Sequence, residues 1–295
     1  MSIVFLLNPA SGVQRRSPLD LRGLVKRVLP LGTEVHIRQT EYAGHATELA
    51  RAAAAGGARV VVAVGGDGTV NEVAAGLLGT DAALGIVARG SGNGLARHLR
   101  VPLDPAAALR HLTKGHRTTI DAGRINGRPF FCTAGVGFDG HISREFAKSH
   151  DRGLATYAKL LFKEFGAYRP TSGTLHYDEA GGLAPHELRE LFVLTFANAA
   201  QYGNNAYIAP MANIQDGTLD ACVLRHPSWW GALGIAAGMM SGTLPRLGAS
   251  TYFRTTRARV TLHHPLPFHC DGEFAGTASE FTVEVLPRAL QVVAA

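Results

Sequence analysis

Short apolar runs alternate with amphipathic stretches over the first 115 or so residues. Ile3–Leu7, Glu34–Gln39, Arg59–Val64 and Leu84–Ala88 read as strands. Arg59–Val64 is a continuous β-branched run, which suits a strand covered on both faces of a parallel sheet. Between these runs lie helical patterns. The first starts at Ser17 and Pro18, an N-cap and N1 pair, and Pro30 ends it after Leu29. An Ala-rich helix, His45–Ala55, is closed by Gly56-Gly57. Val70–Leu78 and Gly94–Leu99 follow, and Asp104-Pro105 caps a further helix that Gly115 ends. Strand–helix alternation of this kind predicts a parallel sheet with helices on both sides.

The texture changes near residue 117. Arg117–Ile125, Asn126-Gly127 and Arg128–Thr133 predict a hairpin with a type I′ turn. After one helical, basic stretch over 141–168, strand-like runs dominate: Gly173–Tyr177, Leu191–Ala197, Thr218–Leu224, Ala258–His263 and Phe281–Leu286. The expected fold is therefore α/β plus all-β. A Rossmann-like α/β nucleotide-binding domain spans 1–122 and an antiparallel β-sandwich spans 123–286. The apolar tail, 287–295, is free to return to the first domain.

Composition narrows the picture. A length of 295 residues suits two domains at about 150 residues each. Hydrophobic residues at 46% against 18% charged exclude a disordered chain. The net charge of +6 suits anionic ligands or a negatively charged membrane surface and is too small to imply nucleic acid. Three distant cysteines (Cys132, Cys222, Cys270) argue against a disulfide framework or a Cys-type zinc site and fit a reduced compartment. The histidines show no zinc-binding spacing, and His263-His264 reads as an exposed strand end. The N-terminal apolar run stops at Asn8 and reads as a strand rather than a signal peptide. Trp229–Met240 is too short to cross a bilayer. A cytoplasmic protein is expected, touching the inner face of the membrane transiently.

The most informative segment is Gly65-Gly66-Asp67-Gly68-Thr69-Val70-Asn71-Glu72, which follows a buried strand and opens a helix. Its glycines let the backbone approach a ligand closely, and amides at a helix N-terminus favour phosphate. It is neither a Walker A loop nor a dinucleotide fingerprint. The plainer alternative is a tight strand-to-helix turn with Asp67 as a cap. Asn8-Pro9-Ala10-Ser11-Gly12 and Gly90-Ser91-Gly92-Asn93-Gly94 follow two other strands of the same sheet, at the edge where open α/β sheets bind ligands.

Asn8-Pro-x-Ser-Gly, Thr40 with Gly44-His45-Ala46, the Gly65–Glu72 segment and Gly90-Ser-Gly-Asn occur in the order found in the diacylglycerol kinase catalytic family, which the chain resembles. That family includes bacterial soluble diacylglycerol kinases and sphingosine kinases. The resemblance continues through Ala134-Gly-Val-Gly-Phe-Asp-Gly140, Asp216-Gly-x-Leu-Asp220 and Asp271-Gly-Glu273. It implies ATP contacts at Asn8, Pro9, Ala10, Ser11, Gly12, Thr40, Gly65, Gly66, Asp67, Gly68, Thr69, Val70, Asn71 and Ser91. It implies that Asp271 is the general base toward a lipid hydroxyl and that Glu273 lies close to the nucleotide and metal network. Asp67 is the second candidate base. Asp216 would ligate a structural Mg²⁺, with Asn213 and Thr218 contributing backbone carbonyls. One departure stands out: Ser91 and Asn93-Gly94 are closer to sphingosine kinases than to bacterial members carrying Thr and an Asn-Asp pair.

Phosphoryl transfer needs charge neutralisation, in-line positioning and a base near the acceptor hydroxyl, roles that glycine loops, Mg²⁺ and a carboxylate can fill. Asp271-Gly272 and Asp216-Gly217 can equally be simple turns. The basic, aromatic stretch His141–Arg169 is expected either on anionic lipid or as helices packed on the sandwich. The leading expectation is an ATP-dependent lipid kinase acting on diacylglycerol or a related lipid alcohol. The alternatives are a sphingosine- or ceramide-type lipid kinase, an NAD kinase-like phosphotransferase and a non-catalytic lipid or nucleotide sensor. Expected partners are the lipid substrate and a membrane surface, not nucleic acid; a homodimer is compatible.

Overall fold

The computed structural model describes residues 2–11, 20–149, 153–179 and 182–294. They divide into two compact units, one of residues 1–120 with 288–295 and the other of residues 121–287.

The first unit alternates strands and helices: β1 (Ser2–Leu7), α1 (Leu21–Val28), β2 (Glu34–Gln39), α2 (His45–Ala55), β3 (Val60–Gly65), α3 (Asp67–Leu77), β4 (Ala83–Ala88), α4 (Gly94–His98) and α5 (Pro105–Lys114). The strands pair in parallel in the order β2-β1-β3-β4. Every residue of β3 and β4 is buried, as a sheet covered on both faces requires. The C-terminal segment closes the sheet beside β4, with Val292 opposite Leu84. Chain order reverses between β1 and β3, so the carboxyl ends of these strands form the crevice of an open α/β sheet. The Ser17-Pro18 start expected for α1 lies outside the described residues. The described helix is capped by Asp20, whose Oδ1 accepts the Gly23 N–H at 2.8 Å. Asp104 caps α5 through the Ala107 N–H, as its sequence indicates.

The chain reaches the second unit through β5 (His116–Ile125), paired with β6 (Arg128–Phe130). Asn126 and Gly127 both have positive φ (46° and 81°), the type I′ turn that the dipeptide predicts. Next come β7 (Thr133–Gly137), α6 (Phe138–Lys148), α7 (Leu154–Phe165), β8 (Thr171–Glu179), β9 (Gly182–Ala197), β10 (Leu219–Arg225), α8 (Trp229–Ser241), β11 (Ser250–Thr255), β12 (Arg257–Cys270) and β13 (Glu273–Ala294). Antiparallel pairing runs β11-β10-β9-β7-β12-β13, and β8 joins β9 to β12. Phe130, Phe196, Phe268 and Phe281 fill the sandwich core. A second cluster, with Phe138, Phe165, Tyr168 and Phe192, seats the helices.

The 141–168 stretch is two helices packed on the second cluster, the packed alternative of the pattern reading, and β7 and β11 are strands that the pattern reading did not give. α8 also went unread, because it is apolar on every side and shows no 3.6-residue period. His263-His264 lies inside β12, beside a register shift, rather than at a strand end. The aromatics of the basic stretch face mostly inward: Phe165 and Tyr168 are buried, and Tyr157 packs against the second cluster.

Candidate active site

In the first unit four loops follow the carboxyl ends of β1, β2, β3 and β4, and side chains tie them together. Asn8 Oδ1 accepts the Ala10 N–H at 2.9 Å, while its Nδ2 donates to Thr69 Oγ1 on α3 at 3.0 Å. Ser11 Oγ donates to the Asn8 carbonyl. Thr40 follows β2 and is held by its N–H to the Leu7 carbonyl. Glu72 on α3 accepts the Gly44 and Ala46 N–H groups at 2.8 and 3.1 Å, fixing the start of α2. Glu72 was not among the expected site residues; its place in the Asn71-Glu72 pair was the only signal.

Asp67 does cap a helix, but not its own. Its Oδ2 and Oδ1 accept the N–H groups of Asn93 and Gly94 at 2.9 and 2.8 Å, at the start of α4. Asn93, at φ 54°, then closes the Gly90–Gly94 loop by exchanging hydrogen bonds with Gly90 through its side-chain amide. Arg97 Nε donates to the Gly92 carbonyl. No side chain caps α3, whose N-cap is Gly66. Among the described residues the first turn of α3 thus has no side-chain cap, an arrangement that favours an anion.

The glycines differ in what they exclude. A Cβ on Gly65 would lie 2.4 Å from Thr69 Oγ1, and one on Gly92 would lie 2.9 Å from Asp67 Oδ2. A Cβ on Gly90 would stand 3.0 Å from the Gly66 Cα, whereas one on Gly66 meets only the Gly90 backbone among the described residues, at an ordinary 3.5 Å or more. Gly65 and Gly92 therefore serve the loop's own packing, and Gly66 keeps space open. Val70 turns its side chain into the core, and its N–H donates to the Gly66 carbonyl. Gly68, Asn71, Pro9 and Ser91 lie in the same loops and first turn; Gly12 is outside the described residues.

In the second unit Asp271 and Gly272, at φ 49° and 84°, form a type I′ turn between β12 and β13, with Cys270 paired to Glu273. The turn reading is correct, yet the carboxylate does not point into solvent. Oδ1 accepts the Cys132 and Thr133 N–H groups at 2.7 and 2.9 Å, and Oδ2 accepts that of Phe131 at 2.9 Å. The Asp271 N–H donates to the Thr133 carbonyl. Behind the turn sits a buried polar cluster that the sequence did not single out as a unit. His269 Nδ1 accepts the Gly272 N–H at 3.1 Å, so Nε2 carries the proton and donates to Asp139 Oδ2 at 3.2 Å. Thr195 and Tyr202 also hydrogen-bond Asp139 Oδ2. A Cβ on Gly135 would fall 1.9 Å from that oxygen, which explains the glycine of the Ala134–Gly140 motif.

The Asn213–Thr218 loop is turned by its own side chains. Asn213 Oδ1 accepts the Gln215 N–H, and Asp216 Oδ1 accepts both the N–H and the hydroxyl of Thr218. Asp121, wholly buried, accepts the Gly217 N–H at 2.7 Å. Arg254 reaches Asp216 at 3.9 Å and Asp220 at 3.8 Å. Burial holds the Asp220 carboxyl above the usual range, with Arg254 opposing. The donor set is all oxygen, as Mg²⁺ requires, and the Asn213 carbonyl is only weakly engaged, at 3.4 Å from the Asp216 nitrogen. The loop therefore fits such a cation in kind, with Arg254 as a competing counter-charge. Among the described residues no three His, Cys, Asp or Glu side chains converge on a metal position.

Residues 2–125 match the diacylglycerol kinase catalytic domain, and residues 132–294 match the YegS C-terminal NAD kinase beta sandwich-like domain. The chain belongs to the diacylglycerol kinase family. A Mycobacterium tuberculosis protein named diacylglycerol kinase is 31% identical over 99% of this chain and 94% of its own length. The Chromohalobacter salexigens protein named "probable lipid kinase YegS-like" is 30% identical over 93% of this chain and 88% of its own length. The fold is similar to the crystal structure of a diacylglycerol kinase from Bacillus anthracis, with a TM-score of 0.71, 20% identity and coverage of 100% and 97% of the two chains. The protein is thus an enzyme, a kinase of the lipid kinase type, and its family uses ATP.

Proposed function

We propose that this kinase transfers the γ-phosphoryl group of ATP to the hydroxyl of a lipid alcohol, diacylglycerol first among them. The observation that carries the reading is the braced loop set of the first unit. Asn8, Glu72 and Asp67 fix four loops around the uncapped start of α3, with the space at Gly66 left open. Backbone amides there would bind the phosphates of ATP. In the second unit Asp271 would accept the proton of the lipid hydroxyl, its carboxylate oriented by three backbone amides. His269 and Asp139 hold the turn that carries it. Mg²⁺ supplies charge neutralisation on the transferring phosphoryl group when it accompanies ATP. A second Mg²⁺, held by Asp216 and the carbonyls of Asn213 and Thr218, would brace the Asp216–Asp220 loop.

The Mycobacterium relative's name favours diacylglycerol. Ser91 and Asn93-Gly94 favour a sphingosine-type acceptor as the second reading. An apolar pocket separates such lipids by only about 1–3 kcal/mol per group. The test is labelled ATP with a panel of diacylglycerol, sphingosine, ceramide and NAD, followed by product identification. Phosphatidic acid is the expected product; a labelled NADP product would replace the reading with NAD kinase chemistry, and no product with any of the four would overturn all four as the acceptor.

A further inference from the structure

We infer that α8 and the outer side of α7 form a face that docks on an anionic phospholipid surface, with α8 lying in the headgroup plane. The inference extends the lipid-kinase reading by saying where the enzyme meets a bilayer. α8 has thirteen residues, WWGALGIAAGMMS, without one charged or amide side chain. Its inner side is accounted for: Ile235 and Gly238 are buried, and Ala232 and Met239 pack on the cluster that holds Phe165, Phe192 and Leu244. Its outer side should then be polar, and it is not. Trp230, Leu233 and Met240, on one helical stripe, are 83%, 62% and 61% exposed. Phe162 of α7, 76% exposed, continues the stripe through ring contact with Trp229 at 5.4 Å. Contiguous exposed apolar surface of this kind marks a docking site.

Charge selects the occupant. From Ala221 to Cys270 the chain carries five arginines and not one acidic residue. Arg225 and Arg246 flank α8 and are exposed, as are Lys159 and Lys163 on α7. The one acid of α7, Glu164, is mostly covered and is engaged by His141 and Lys163. A second copy of this chain would bring the same basic rim against itself, whereas anionic headgroups complement it. Aromatic rings at the rim of an apolar stripe with basic neighbours suit the lipid interface. At about 1.5 Å per residue α8 is roughly 20 Å long, and no described helix is long and apolar enough to span a membrane, so the helix would lie on the surface.

Both tryptophans of the chain are Trp229 and Trp230, so selectively excited tryptophan fluorescence reports on this face alone. The full-length protein is titrated with phosphatidylcholine vesicles with and without phosphatidylglycerol. A blue shift and quenching by brominated lipid are expected only with phosphatidylglycerol, weakening as salt rises. L233E/M240E, which keeps both reporters and changes only exposed side chains, should lower partitioning about tenfold or more, and K159E/K163E should do the same in a salt-sensitive way. Phosphorylation of vesicle-borne diacylglycerol should fall in L233E/M240E while that of a water-soluble short-chain diacylglycerol holds. Absence of a spectral change in wild type, or unchanged partitioning of L233E/M240E at an unchanged melting temperature, overturns the inference. So does wild-type self-association that L233E/M240E abolishes, which would assign the face to a second copy. If wild type binds the vesicles yet phosphorylates no lipid, the kinase reading fails and the docking face stands.

Discussion

Asp271→Asn separates chemistry from architecture, because the side chain is both the candidate base and a ligand of three amides. The substitution keeps one carbonyl oxygen. If that oxygen stays on the Cys132 and Thr133 N–H groups, the new amide nitrogen faces the Phe131 N–H, donor against donor. Losing that bond and stranding a donor costs about 1–3 kcal/mol. At roughly 2–4 °C per kcal/mol for a protein of this size class, the melting temperature should drop by roughly 2–12 °C. Asn accepts the positive φ of the turn, so the hairpin itself should survive. If Asp271 takes the lipid proton, kcat should fall about 10²–10⁴-fold on top of that modest destabilisation. ATP affinity, which the proposed cradle of the first unit would set, should hold. The assay is kcat and KM at a temperature well below the variant's transition, with nucleotide titration and a melt on the same preparation. Near-normal turnover with the expected drop in melting temperature would refute the base assignment and leave Asp271 as an anchor of the Phe131–Thr133 segment. Loss of ATP affinity would move it into the nucleotide network instead.

Gly66→Ala should fold normally and weaken ATP binding at least tenfold, whereas Gly65→Ala, whose methyl collides with Thr69, should lower the melting temperature; nucleotide titration and thermal melts distinguish them. Mg²⁺ should raise the melting temperature of wild type and not of Asp216→Ala; Arg254→Ala, which removes the competing cation from Asp216 and Asp220, should steepen the response, and a flat wild-type titration would dismiss the structural metal. The buried thiols of Cys222 and Cys270 are pushed up to about 12, by burial first, so neither should react with a thiol reagent near neutral pH until the protein unfolds. Because the unfolded thiol ionises near 9.0 and the native one does not, stability should fall as pH rises from there toward 12, by about 1.4 kcal/mol per pH unit per thiol; Cys222→Ala should flatten that slope in alkaline denaturation curves.

The parallel sheet was legible because its central strands β3 and β4 are buried on both faces and alternate with helical patterns: β2 and α2 match the pattern residue for residue, and Asp104 caps as its position says. Asn126-Gly127 was equally plain, since only residues tolerant of positive φ make that turn. α8 was not legible, because periodicity detects contrast between two faces and this helix offers none. The loop partners were legible as a set and not as contacts. Asn8 with Thr69, Glu72 with Gly44, and Asp67 with Asn93 are separated by 61, 28 and 26 positions, and nothing in a local window pairs them. The Asp139–His269 pair spans 130 positions, and its traces are Asp139 and Gly135 of the Ala134–Gly140 motif, the glycine required because a Cβ there would meet the Asp139 carboxylate.

An aspartate inside the proposed phosphate-binding loop poses an electrostatic problem, since its charge would oppose that of the ligand. The geometry of Asp67 answers it. Both carboxylate oxygens accept amides at the start of α4, so the negative charge meets the positive end of another helix rather than the open space at Gly66. The amides of α3 are thereby left to an anion, and the Gly90–Gly94 loop is held at the crevice by the same two bonds. Asp67 would thus build the cradle, its two oxygens holding the start of α4. Asp271 meets much the same description, half-buried like Asp67 and with three amides on its oxygens, but it sits in the tight turn of a hairpin rather than between two loops. That difference in setting, and not the residue type, is what makes Asp271 the carboxylate to test first.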